Sequence, residues 1–239
     1  MAFERRTVMG RAGAATTVAI DEGLRAFMLK VYNYMGLGLA VTGAVALFTA
    51  SSETMMQAIY GSPLAWLVML SPLAFVLVLS FGINRLSVGA TQALFWAFAV
   101  VMGLSMSTIF VVYTGTSIAR VFFITAATFA AMSLYGYTTR RSLASMGAFL
   151  FMGLIGLIIA MVVNLFLASS ALQFAVSIIG VLIFTGLTAW DTQRLKLMYV
   201  AGEGGTAVAE KKAIYGALSL YLDFINLFYM LLSLLGNRQ

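Results

Sequence analysis

Seven apolar runs separated by polar connectors restrict this backbone more than any single residue does. They are Phe27–Ala50, Leu64–Gly82, Gly89–Tyr113, Ser117–Tyr135, Gly147–Leu167, Phe174–Trp190 and Ala213–Leu235. Each is near the ~20 residues that an α-helix needs to cross a bilayer core. In hydrocarbon every backbone N–H and C=O must be satisfied within the segment, so runs of this kind are helices. Composition agrees: 62% of the 239 residues are hydrophobic, 9% are charged and mean hydropathy is +1.00, whereas soluble domains are about one-quarter charged. We expect an all-α integral membrane protein, a seven-transmembrane helix bundle over residues 27–239, after a polar cytoplasmic tail over residues 1–26. The tail carries Arg5, Arg6, Arg11 and Arg25 without an apolar core, so it does not read as a cleavable secretory signal.

Lys and Arg set the expected orientation, because cytoplasmic segments retain them. The tail and first span entry hold Arg5, Arg6, Arg11, Arg25 and Lys30. Arg85, then Arg140 and Arg141, then Arg194, Lys196, Lys211 and Lys212 occupy the second, fourth and sixth connectors. Of the 14 cations only Arg120 and Arg238 fall on the other side, which predicts an N-terminus in the cytoplasm and a C-terminus outside. The net charge of +6 then reflects attraction to anionic membrane lipid rather than a nucleic-acid partner.

The chain has no Cys and no His. Disulfides, thiolate metal sites, Ser-His dyads, His-ligated zinc or haem and a histidine pH switch are therefore all excluded. Any charge change near neutral pH must come from carboxylates in unusual surroundings. Glu4, Asp21, Glu22, Glu53, Glu203 and Glu210 lie in segments that can reach water. Asp191 and Asp223 do not, and a carboxylate at membrane depth costs roughly 2.5–3.5 kcal/mol on insertion scales. Such residues mark function by default.

Asp191 closes the sixth apolar run, with Thr188 one turn earlier, and there a helix-end Asp bonded to water, Thr192 or backbone is the plain structural alternative. Asp223 lies within the seventh run, about 15 Å from its start at 1.5 Å per residue. The two meet only if Lys211–Ala217 protrudes into the cytoplasm. Tyr215, Ser219, Asp223, Asn226 and Ser233 follow helical spacing, a polar stripe that must avoid lipid. We therefore expect the seventh helix to be central, with Tyr215, Ser219 and Asn226 lining an ion pathway or bonding neighbouring helices. Gly36, Ala40 and Ala44 in the first run, and Gly153, Gly156 and Ala160 in the fifth, have the spacing of close helix packing. Pro72 should kink the second span, its freed carbonyl taken up by neighbours or by Ser71.

The segments AWDTQRL (189–195), LSLYLDFINLF (218–228) and LLSLLG (231–236), set in this seven-span plan, resemble the Bax inhibitor-1 family, also called the transmembrane Bax inhibitor motif family. The resemblance implies a bundle around a central seventh helix and a pH-sensitive calcium leak gated by two aspartates on the last two helices. Carried onto this chain, those are Asp191 and Asp223. It also implies an arginine latch from the second helix onto the sixth-helix aspartate. Arg85 falls to that role, although it lies in the connector, a few residues later than the family position. Some bacterial relatives are associated instead with restraining a membrane-bound ATP-dependent protease through the N-terminal tail.

The chemistry of such a pair points the same way. Two adjacent carboxylates in low dielectric cannot both ionise cheaply and titrate as one unit. A shared proton ties the helices together; its loss brings repulsion, a cation site, or both, with Asp191 and Asp223 as transient Ca²⁺ ligands. The expected activity is a pH-sensitive calcium leak with no cofactor and Ca²⁺ and protons as partners, not an enzyme. An intramembrane aspartyl protease is the enzymatic alternative, but Tyr221-Leu222 stands where a Gly-x-Gly approach would be and no Pro-Ala-Leu motif follows. A regulator that binds an ATP-dependent membrane protease is the non-enzymatic alternative.

Overall fold

The computed structural model describes the backbone of residues 2–82 and 85–239 and the side chains of residues 22–82 and 85–239. The side chains of Arg5, Arg6 and Arg11 lie outside the described residues. The helices are α1 Ala2–Ala50, α2 Glu53–Tyr60, α3 Leu64–Gly82, α4 Val88–Met106, α5 Ile109–Val112, α6 Gly115–Thr138, α7 Ala144–Leu167, α8 Ser170–Met198 and α9 Ala207–Leu235. Among the described residues, seven spans are long and apolar enough to cross a membrane: Glu22–Ala50 of α1, α3, Val88–Val112 across α4 and α5, α6, α7, α8 and α9. This is an all-α membrane bundle.

The seventh span is central, as its polar stripe requires. It packs on α8, α1, α6 and α4, and 56% of its most apolar stretch is buried, against 11% for α7. Tyr221 fixes it to its neighbours. The hydroxyl lies 2.6 Å from Thr42 Oγ1, which donates to the Ala99 carbonyl at 2.8 Å, so Tyr221 is the donor to Thr42. Its ring meets Phe95 and Phe98 edge-on, at centroid distances of 6.5 and 5.2 Å, a favoured aromatic geometry.

Helix ends differ most from the apolar runs where polar residues continue a helix. The sixth span continues to Met198, eight residues past Trp190, so Asp191 is an interior helical residue and not a helix end. Hydropathy falls over Asp191–Lys196, but the backbone hydrogen bonds of a helix do not depend on apolar side chains, and Asp191, Thr192 and Leu195 are buried against neighbouring helices. The sixth connector is correspondingly short, Tyr199–Thr206, turning through Gly202 and Gly205 at φ of 91° and 78°, which glycine adopts without a Cβ clash. The short α2 was not visible as an apolar run. Ser52 caps it, accepting from the Met55 amide, and Glu53 sits in its first turn, both standard helix-start signals. The third span breaks after Met106, where the Tyr60 hydroxyl takes the Leu104 carbonyl at 2.7 Å.

Pro72 removes the amide that would bond the Val68 carbonyl, and two hydroxyls replace it: Ser71 of the same helix at 3.1 Å and Ser105 of α4 at 2.6 Å. The small-residue stripes behave otherwise than expected. Gly36, Ala40 and Ala44 face outward, because α1 turns Met28, Val31, Met35, Thr42 and Ala46 inward. Of the fifth-span stripe, Gly153 meets α8 at Ile183 and Ala160 packs against the core, while Gly156 faces open space.

Candidate functional site

The register of α8 against α9 builds the site. Gly216 lies against Leu195, and Met230 against Gly180, so the two helices run antiparallel with Asp191 and Asp223 between these contacts. The same register carries Lys211 and Lys212 past the end of α8 at Met198, the protrusion that lets the two aspartates meet. Glycines on two other helices let α8 sit close: any side chain at Gly136 of α6 would collide with the Ala189 carbonyl, and any at Gly147 of α7 with the Trp190 indole. Both contacts are one or two residues from Asp191.

Asp191 and Asp223 are both buried, at 8% and 5% exposure, and lie within hydrogen-bond reach of one another. Asp223 Oδ2 has no hydrogen-bond partner. Ionised carboxylates are acceptors only, so a proton on either one turns this contact into a hydrogen bond. Thr192, offered above as a local partner for Asp191, is engaged elsewhere: its hydroxyl donates to the Thr188 carbonyl and lies 2.9 Å from Ser133 Oγ.

The pair sits in the wall of a cavity of ≈ 800 Å³ lined by α3, α4, α7, α8 and α9. The cavity exists because α3 rests on α4 and α2 while α7 rests on α8, leaving a gap between α3 and α7. Ser219, Asp223 and Asn226 of the α9 stripe line it. Asn226 donates to the Leu222 carbonyl of its own helix at 2.8 Å and is not bonded across helices. Tyr215 does not reach the cavity wall; its ring lies 5.9 Å from the Arg194 guanidinium. Ser233 belongs to a separate cluster at the far end of the helix, with Gln173 and Ser177.

The cation beside Asp191 is Arg194, at 3.8 Å on the same helix, stacked over Trp190 at 5.3 Å. Arg85 is exposed in the turn after α3, its amide donating to the Gly82 carbonyl. Arg194 escaped the sequence reading because the helix was ended at Trp190. Within a continuous helix, Asp191 and Arg194 have the i, i+3 spacing that makes neighbours. Among the described residues no third Asp, Glu, His or Cys joins the pair to make a metal cluster.

The model of the family described as inhibitor of apoptosis-promoting Bax1 matches residues 24–239. The chain belongs to the Bax inhibitor-1 family. It is similar to the protein RP147 of Rickettsia prowazekii, 52% identical over 219 residues covering 92% of each chain. It is also similar to the inner membrane protein YbhL of Escherichia coli, 48% identical over 222 residues, covering 91% of this chain and 94% of YbhL. A Caulobacter vibrioides protein is 42% identical over 231 residues, covering 93% and 92%. In this Bax inhibitor-1 family member, two of the three segments that carried the resemblance face the cavity, through Trp190, Asp191 and Arg194 on α8 and Ser219, Asp223 and Asn226 on α9.

Proposed function

We propose that this Bax inhibitor-1 family protein is a pH-sensitive cation leak, with Ca²⁺ as the permeant ion, gated by the Asp191–Asp223 pair. The observation that carries this reading is the position of two buried carboxylates, within hydrogen-bond reach, in the wall of a large intramembrane cavity. A shared proton joins α8 to α9 and leaves the pair a single negative charge, with the Arg194 guanidinium beside it. Its loss places two like charges at contact distance in low dielectric, which pushes the helices apart and creates an oxygen-rich cation site. Flux therefore rises with pH. Arg194 beside Asp191 favours the ionised state, from the same helix and not as a latch between two helices. We read the chain as a channel and not an enzyme, and, by analogy with YbhL and from the Lys/Arg distribution, as a bacterial inner-membrane protein with its N-terminus in the cytoplasm.

Ca²⁺ flux from proteoliposomes tests this. With no His and no Cys in the chain, carboxylates in such surroundings are the side chains placed to change charge from about pH 5 to 8. The native protein is expected to leak faster as pH rises, and Asp191→Asn or Asp223→Asn to remove that dependence. Absent flux, or a profile unchanged by both substitutions in folded protein, overturns the channel reading in favour of a regulator bound to a membrane protease.

A further inference from the structure

On the opposite side of α9 from the carboxylates, α1 and α6 both pack against α9 while their backbones stay apart, bridged by the Tyr32 and Ser133 hydroxyls. The seam between them holds two cavities. At the end that carries the α8–α9 connector, one of ≈ 510 Å³ is walled by Met28, Leu29 and Tyr32 of α1 and Phe129, Leu134 and Tyr137 of α6, a volume typical of ligand pockets at about 300–1,000 Å³. Further along, a narrower one of ≈ 100 Å³ lies between Leu39 and Gly43 of α1 and Ile118 and Phe122 of α6, floored by Phe224 and Phe228. Tyr32, Gly36, Leu39 and Gly43 follow one another on a single helix face. A Cβ on Gly36 or Gly43 would meet no atom within 4 Å, so the α1 face is open at both positions. From Met28 to Gly43 the seam runs about 22 Å along the helix at 1.5 Å per residue, longer than half of a ~30 Å hydrocarbon core.

We propose that this seam binds one acyl chain of an anionic phospholipid, with the headgroup held at the mouth by Arg25 and Lys196. The charge pattern selects the headgroup. Arg25 lines the wide cavity, and Lys196 sits over the ring of Tyr137, another lining residue, at 5.2 Å while donating to its carbonyl at 2.9 Å. No Asp or Glu lines either cavity; Glu22, one turn before Arg25, is outside both, and Lys30 is paired with Glu210. Deeper in, the polar groups are already satisfied. The Tyr32 hydroxyl lies 2.5 Å from Ser133 Oγ, itself 2.9 Å from Thr192 Oγ1, leaving an apolar channel suited to a hydrocarbon chain and not to a polar cargo. Two cations above an apolar channel match an acidic amphiphile better than the uncharged face of a second helix.

The full chain, reconstituted in phosphatidylcholine vesicles with phosphatidylglycerol carrying a photoreactive diazirine in its acyl chain, tests the assignment by mass-spectrometric mapping. Crosslinks are expected to concentrate on residues 28–43 and 118–137, several-fold above those from the equivalent phosphatidylcholine probe. Arg25→Gln should abolish the anionic preference while leaving some chain labelling. Gly36→Leu and Gly43→Leu should remove seam labelling at unchanged thermal stability, since the new side chains enter open space. Labelling spread evenly over lipid-facing α3 and α7, or equal for the two lipids, overturns the proposal. So does protein-to-protein crosslinking across the seam, which would make a second copy the occupant.

Discussion

The α8–α9 interface carries two polar clusters, and they are built on different terms. At the end away from the connector, Ser177 donates to the Gln173 carbonyl and lies 3.0 Å from Ser233 Oγ, Gln173 Nε2 reaches Ser233 Oγ at 3.3 Å, and Asn164 of α7 joins through Gln173 at 3.2 Å. Each of these side chains is neutral and has a partner. Near the connector end, Asp191 and Asp223 face each other, one carboxylate oxygen lacks a partner, and a cavity opens beside them. Polarity within a membrane helix therefore does not by itself separate adhesive contacts from a site; an account of which polar atoms are satisfied does. Met230 separates the clusters. It is buried, packed where Gly180 has no side chain and near Leu157, an apolar barrier between the polar end cluster and the cavity.

The largest effect that would break this contrast is at the carboxylates. Asp191→Asn and Asp223→Asn should each abolish the rise of Ca²⁺ flux with pH, whereas Ser177→Ala should leave the profile unchanged; flux across a pH series decides it. Next is the barrier. Met230→Ala should join the two polar regions and raise flux several-fold at every pH, at a stability cost of about 2–5 kcal/mol for a buried Met, read by thermal unfolding in detergent alongside flux. A folded variant with unaltered flux would mean that the two clusters do not lie on one path.

Smaller still is the contribution of Arg194, whose side chain is 43% exposed and so partly screened by solvent. Arg194→Gln should displace the flux profile toward higher pH, since the deprotonated pair loses its nearest cation, while Arg85→Gln should not move it. The least effect belongs to the adhesive cluster. Ser233→Ala removes interhelical bonds worth about 0.6 kcal/mol each and should lower the unfolding temperature slightly without altering flux.

Much of the fold was legible because the bilayer sets its cost one residue at a time. The second span, Leu64–Gly82, has the same bounds in the apolar pattern and in the structure. The replacement donors at Pro72 followed from the missing proline amide, and the central place of α9 from the impossibility of turning Asp223 toward lipid. Reading failed where that cost no longer applies. Beyond Trp190 the helix continues through polar residues that are buried against its neighbours, so apolarity stops reporting helicity, and Asp191 and Arg194 could not be seen as neighbours. The outward face of Gly36, Ala40 and Ala44 was misjudged for a related reason: small residues permit close packing, but they do not select a partner.

The sequence by itself determined that this chain is a seven-span membrane bundle with two costly carboxylates on its last two helices, because desolvation of backbone and charge is a local quantity. That these carboxylates meet, that Arg194 stands beside them, that only Ser219 and Asn226 of the remaining stripe line the cavity, and that α1 and α6 leave a seam open were decided by tertiary structure. Each depends on helix register and separation, which are fixed by many weak contacts made together, such as Gly136 on Ala189, Gly180 on Met230 and Tyr221 on Thr42.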